Sequence, residues 1–237
     1  VDGLSSGGVA ITLDPPTING DNQYTYTAKA GAVEVFKLSL NADGSYSFEL
    51  KAPIDHADNE TNKLLNFAIQ AQDQDGDLSN IVLPVAVEDD APTLNSISAA
   101  TDVDEDDIPT VGSDTTPESN STQGTFDFTE GADGIKSIII ANQGDVLDSL
   151  SSGGEALKWS DDSPAKNGTQ FTYTAQTTSG DNVFTMVFDT ASKTYLFTLV
   201  KALDHPTGDG QNSLDLGFEI SVVDFDNDKS PSLPLNI

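Results

Sequence analysis

Apolar residues recur at every second position in short runs. Tyr24, Tyr26 and Ala28 form one such set, Phe36, Leu38 and Leu40 a second, and Tyr46, Phe48 and Leu50 a third. Leu65, Phe67, Ile69 and Ala71 continue the pattern, as do Leu83, Val85 and Val87. Successive side chains of a strand point to opposite faces, so this spacing predicts strands with one apolar face and one wet face. No stretch carries a helical stripe. Asn41-Ala-Asp-Gly44 separates two of the runs and is a hairpin signal, because Asp-Gly tolerates the left-handed angles of tight turns. The expected class is all-β, built as tandem antiparallel β-sandwich modules of immunoglobulin-like type.

The pattern occurs twice. Leu4-Ser-Ser-Gly-Gly8 returns as Leu150-Ser-Ser-Gly-Gly154, and Tyr24-Thr-Tyr-Thr-Ala28 as Phe171-Thr-Tyr-Thr-Ala175. Phe36 matches Phe184, Tyr46 and Phe48 match Tyr195 and Phe197, and Ile54-Asp-His56 matches Leu203-Asp-His205. Phe67-Ala-Ile69 matches Phe218-Glu-Ile220, and the trio Asp73, Asp75, Asp77 matches Asp224, Asp226, Asp228. Matches in one order at a nearly constant offset indicate a long-period repeat. The expected organisation is a partial first module over residues 1–90 and a second over 91–237, with an acidic inter-module segment at 91–125. Gly131-Ala-Asp-Gly134 and the run Ile135 to Ile140 open the second module proper, and Trp159 aligns with Leu13.

Charge changes this picture most. The 237 residues carry 39 acidic and 10 basic side chains, a formal net charge of -29. Such a balance weakens a compact fold by self-repulsion unless cations neutralise it. It argues against nucleic acid, whose binding needs Lys and Arg to displace counterions, and against an anionic membrane surface. There is no cysteine, so disulfides and thiolate metal sites are absent. No signal-type or bilayer-length apolar run occurs. Direct membrane insertion is therefore not expected, and the chain reads as a segment of a longer protein or one exported without an N-terminal signal.

The acids are clustered. If extended, Asp73, Asp75 and Asp77 point the same way and share one field, a conflict that a hard cation resolves. Calcium accepts six to eight oxygens at roughly 2.3 to 2.6 Å in adaptable geometry, whereas magnesium needs a stricter octahedron. The segment is no EF-hand, since Leu78 follows Asp77 and no flanking helices are expected. Asp224, Asp226 and Asp228 keep the carboxylates, with Asn227 in place of Gly76 and still tolerant of left-handed angles. A second candidate calcium site joins Glu88, Asp89 and Asp90, which leave a strand, with Asp102, Asp104, Glu105, Asp106 and Asp107 just beyond. Calcium there would stiffen a module junction. The bland alternatives are a solvated Asp/Gly turn and a flexible acidic linker.

Catalytic signals are missing. There is no G-x-S-x-G nucleophile, phosphate loop or dinucleotide loop, and extended acid triplets attract cations rather than framing the cleft of a glycosidase. An enzyme is not expected. His56 and His205 are the only histidines, and without cysteine or H-E-x-x-H context they read as turn-packing residues rather than zinc or catalytic groups. Trp159, Tyr173 and the Phe series fall on the strand alternation and read as core.

Val35-Phe-Lys-Leu-Ser-Leu-Asn-Ala-Asp-Gly-Ser-Tyr-Ser-Phe-Glu-Leu50, Pro53-Ile-Asp-His56, Leu65-Asn-Phe67, Asp73-Gln-Asp-Gly-Asp77 and Val87-Glu-Asp-Asp-Ala-Pro-Thr93 together resemble the long tandem repeat of giant bacterial adhesins exported by type I secretion, within the RTX adhesins. The resemblance implies calcium-stabilised β-sandwich extender modules that project ligand-binding domains from the cell surface in adhesion and biofilm formation. It implies calcium at the two aspartate trios, with Glu88 to Asp90 approaching a module junction. The partners implied are neighbouring modules of the same chain. The alternative is that the segment itself binds a carbohydrate or peptide on a host or other surface. The second module departs from the pattern by lacking glycines equivalent to Gly44 and Gly76, and its Phe184 to Phe197 stretch is longer.

Overall fold

In a computed structural model of the chain, residues 1–20, 22–57, 60–109, 119–206 and 212–237 are described, and they form antiparallel sheets with no helix among them. The fold is all-β and sandwich-like. Two compact units are present. The first comprises Val1–Ala91 with the short segments Gly131–Gly134 and Phe225–Asp228, and the second holds Pro92–Glu130, Ile135–Asp224 and Lys229–Ile237.

The first unit contains β1 (Ser5–Ser6), β2 (Val9–Leu13), β3 (Thr17–Ile18), β4 (Tyr24–Ala30), β5 (Val33–Leu40), β6 (Tyr46–Leu50), β7 (Asn62–Gln72) and β8 (Leu78–Glu88). One sheet runs β1-β2-β4-β5-β6 with β3 on β4, and β7 and β8 form a separate hairpin. Alternation in β5 and β7 buries Phe36 and Leu65 on one side, and with Ile11, Ala28, Val35, Ile54 and Val87 they make the core. Phe36 packs tilted on Phe48 at 5.1 Å and edge-on to Phe67 at 5.7 Å, favourable aromatic geometries. β6 has no strand beyond it among the described residues, and Tyr46 is 54% exposed. Thus the expected apolar face is present, but burial fades toward its edges.

The second unit contains β9 (Thr93–Ile97), β10 (Ser121–Thr129), β11 (Ile135–Ile140), β12 (Ser151–Ser152), β13 (Glu155–Trp159), β14 (Ala165–Asn167), β15 (Gln170–Thr177), β16 (Asn182–Asp189), β17 (Thr194–Leu199), β18 (Gly217–Asp224) and β19 (Leu233–Asn236). Its large sheet runs β12-β13-β15-β16-β17-β10-β9, and β11-β18-β19 supplies the second layer. Phe184 and Phe197 of the large sheet meet Phe218 of the small one at 6.1 and 6.5 Å. Tyr173 reaches across and donates its hydroxyl to the Ile138 carbonyl at 3.1 Å. Burial pushes that phenol up to about 12. Here β10 covers β17, so Tyr195 is 1% exposed where its repeat partner Tyr46 is half in water.

The segment 91–125 is not simply a linker, because Leu94 and Ile97 side with the core as β9 pairs with β10, which begins at Ser121. Residues 110–118 within it lie outside the described residues. The turn lacking a glycine still places a residue at positive φ two positions before the tyrosine. Gly44 has φ 84°, and its equivalent Lys193, preceding Tyr195 as Gly44 precedes Tyr46 by the same step, adopts φ 54°. Lys193 is held there by its ammonium, which lies 2.6 Å from Asp127, donates to the Phe128 carbonyl at 3.0 Å and sits over the Phe128 ring.

Repetition extends to irregularities. The register shifts between Ala28 and Lys29 and again between the equivalent Ala175 and Gln176, so both modules carry a bulge at the same place.

Candidate metal centre

Two repeated motifs that are distant in sequence meet in space. Asp55 accepts the amides of Gly7 and Gly8 at 2.6 and 3.0 Å, and Asp204 accepts those of Gly153 and Gly154 at 2.9 and 2.7 Å. The Leu-Ser-Ser-Gly-Gly turn is thus an anion nest for the aspartate of the Asp-His pair. That contact fixes the backbone from which His56 projects.

His56 enters a group of acids, all of them in the first unit. Its ring is 3% exposed, and Nδ1 lies 3.4 Å from Asp89 Oδ1, without the alignment of a hydrogen bond. Nε2 lies 3.2 Å from the Val87 carbonyl oxygen. The His56 amide donates to Asp226 Oδ2 at 3.4 Å. His56, Asp89 and Asp226 each offer a ligand atom within 4.8 Å of the others. Asp226 Oδ1 is buried without a hydrogen-bond partner.

Electrostatics records the crowding. Burial, then the Asp228 carboxyl against it, raises Asp89 to about 6, with Asp226 adding to the effect and His56 opposing it. Asp133 is likewise raised to about 6 by burial first, and then by Asp226, Asp55 and Asp90. Carboxylates whose ionised form is opposed by burial and by one another are a setting that favours a divalent cation. The close approach depends on Gly131, which has φ 70° and no side chain, since a Cβ there would collide with the Asp90 carbonyl oxygen.

Asp73, Asp75 and Asp77 also bring ligand atoms within 4.8 Å of one another, but all three are exposed. They do so in a turn rather than as an extended segment. The Asp73 amide bonds to the Asp77 carbonyl at 3.1 Å and Gly76 takes φ 100°. Asp73 Oδ1 accepts the amides of Gly76 and Asp77 at 3.0 and 2.8 Å. Its carboxyl is held below the usual range, first by a hydrogen bond with the Asp75 carboxyl and then by the Asp77 amide. Asp224, Asp226 and Asp228 form the corresponding turn with Asn227 at φ 79°, but Asp224 and Asp226 are buried.

The other expected ligands take different places. Glu88 is exposed at the end of β8, and Asp90, also exposed, donates its amide to Asp89 at 2.9 Å. Among the described residues, Asp102, Asp104, Glu105 and Asp106 do not gather with Glu88, Asp89 or Asp90 into a three-ligand group. Asp104 instead accepts the Asp106 amide at 2.8 Å, and Glu105 accepts the Leu203 amide at 2.7 Å and faces His205 Nε2 at 3.3 Å. Asp102 is exposed, and Asp107 is half-buried. Asp89 finds its partners in His56 and Asp226.

Sequence reasoning missed His56, Asp55 and Asp133 as members of this group. The available signals were the repeated Asp-His pair and the Gly-Ala-Asp-Gly spelling around Asp133. Chemically, the carboxylates suit a hard divalent cation that takes oxygen ligands, and the buried Oδ1 of Asp226 is a donor of that kind. The chain matches no protein-family model, and a comparison with curated proteins gives no match.

Proposed function

We propose that the chain is a calcium-stabilised extender segment of a secreted bacterial cell-surface adhesin of the RTX type, projecting ligand-binding domains for adhesion and biofilm formation. The observation that carries this reading is the gathering of Asp89, Asp133, Asp226 and Asp228 around a buried carboxylate oxygen in a chain of net charge -29. Calcium supplies the missing positive charge, and through linkage its binding energy adds to the stability of the folded module. The exposed turn at Asp73 to Asp77 repeats the carboxylate spelling and serves as a second calcium position. The role is mechanical, without catalytic turnover.

The alternative is a module that binds carbohydrate or peptide itself. Its best support is a shallow groove on the β7–β8 hairpin lined by Ala68, Ile69, Gln70, Asn80, Ile81 and Val82. No aromatic side chain lines it, so it lacks a stacking platform for sugar, and the extender reading is favoured.

Thermal unfolding and single-molecule pulling in millimolar calcium and in chelator test the proposal. Calcium is expected to raise both the melting temperature and the unfolding force. Identical melting curves and force distributions in the two conditions would defeat it.

A further inference from the structure

We infer that His56, Asp89 and Asp226 form a site for a first-row transition-metal dication of the zinc class, bound through His56 Nδ1 and one oxygen from each carboxylate.

The ring nitrogens carry the argument. A carbonyl oxygen only accepts, so the 3.2 Å contact with Val87 places the proton on His56 Nε2. In the neutral tautomer Nδ1 then presents its lone pair toward Asp89 Oδ1 at 3.4 Å. A lone pair facing a carboxylate needs a positive centre beside it. An imidazole that donates one N–H to a carbonyl while its other nitrogen faces acids has the orientation and tautomer of a metal ligand held by its outer-shell partner.

Burial supplies an independent support. The side chains of His56 and Asp89 are 3% and 6% exposed, His56 Nδ1 has no hydrogen-bond partner, and neither has the buried Asp226 Oδ1. Unsatisfied polar atoms in the interior are costly and uncommon. A shared cation satisfies them together.

The nitrogen selects the class of metal. Calcium and magnesium take oxygens, whereas imidazole suits zinc and its neighbours. Ligands about 2.0–2.2 Å from a tetrahedral zinc lie roughly 3.3–3.6 Å apart, which matches the 3.4 Å between His56 Nδ1 and Asp89 Oδ1. His205 does not reproduce the site. Its ring is 26% exposed, its Nε2 faces Glu105, and it joins no three-ligand group among the described residues. The site therefore arises from the surroundings of His56 rather than from the Asp-His spelling.

This inference shares Asp89 and Asp226 with the calcium reading above but does not depend on it, because His56 Nδ1 is a ligand for the zinc class and not for calcium. The test is zinc titration of the whole chain, first stripped with chelator and then at saturating calcium, followed by calorimetry and by nitrogen NMR of the two imidazoles. The expected result is one zinc that moves the Nδ1 resonance of His56 while its Nε2 proton persists. His205 should stay unchanged. His56→Gln should weaken zinc binding at least about tenfold, whereas His205→Gln should leave zinc binding unchanged. An unmoved His56 resonance at saturating zinc, or full zinc affinity in His56→Gln, overturns the inference. Should His56→Gln fail to fold, the NMR of the unaltered chain decides.

Discussion

Asp204 accepts the amide of Gly154 at 2.7 Å, and so ties the start of the second module's large sheet to a loop 50 residues later. The same carboxylate takes the Gly153 amide and the Ser151 hydroxyl. Asp204→Ala should strand these donors and lower the melting temperature of the second unit, as followed by near-ultraviolet signal from Trp159.

The contact also has a pH signature. The Ser151 hydroxyl, with the Gly154 and Gly153 amides after it, holds the Asp204 carboxyl below its ordinary value of 3.8. The unfolded chain then binds the proton more readily than the folded one, so stability falls with falling pH. Its contribution should be complete above the unfolded value near 3.8 and disappear as pH drops through the lower folded value. Acid-unfolding curves of the parent and Asp204→Ala should converge at the acid end, and a gap that widens there would refute the assignment.

Phe184 is fully buried and touches Trp159, Phe197 and Phe218, so it joins both sheets of the second unit. Phe184→Ala should cost about 3–5 kcal/mol by removing the ring and leaving a cavity. Leu196→Ala, on the wet face of β17 and 40% exposed, should stay within about 1 kcal/mol. Denaturant midpoints compare the two.

Tyr195 lies across Gly124, its pairing partner in β10, and donates to the Ser98 carbonyl at 2.9 Å. A Cβ at Gly124 would meet the Tyr195 hydroxyl oxygen at 2.5 Å and collide with the Ser98 hydroxyl. Gly124→Ala should destabilise by about 1–3 kcal/mol through overpacking. Gly144→Ala meets nothing within 4 Å and should change stability by less than about 0.5 kcal/mol, judged by the same unfolding measurement.

Asp133 makes the charge argument reversible. Its carboxyl is disfavoured as an anion by burial and by Asp226. In chelator, Asp133→Asn should melt higher than the parent because a repelled charge is gone. In calcium it should gain less than the parent, whose expected stabilisation is about 2.7 kcal/mol at a hundredfold excess over the dissociation constant. Equal calcium responses would remove Asp133 from the site.

Much of this was legible in the chain itself. Strand alternation, the Asp43-Gly44 hairpin and the order of repeated motifs are local properties, so period-two spacing identified the faces that Phe36, Leu65, Phe184 and Phe218 present to the cores. Net charge and the aspartate trios marked where cations would be favoured. The sequence alone did not determine depth. The same aspartate spacing leaves Asp73 and Asp75 in water but buries Asp224 and Asp226, and Tyr46 and Tyr195 diverge in the same way. Burial is set by which other segment covers a surface, and desolvation then decides whether a carboxylate or an imidazole has a partner. Only the tertiary fold brings His56, Asp89, Asp133 and Asp226 together from four separate stretches of chain, because no periodicity encodes contacts between residues so far apart.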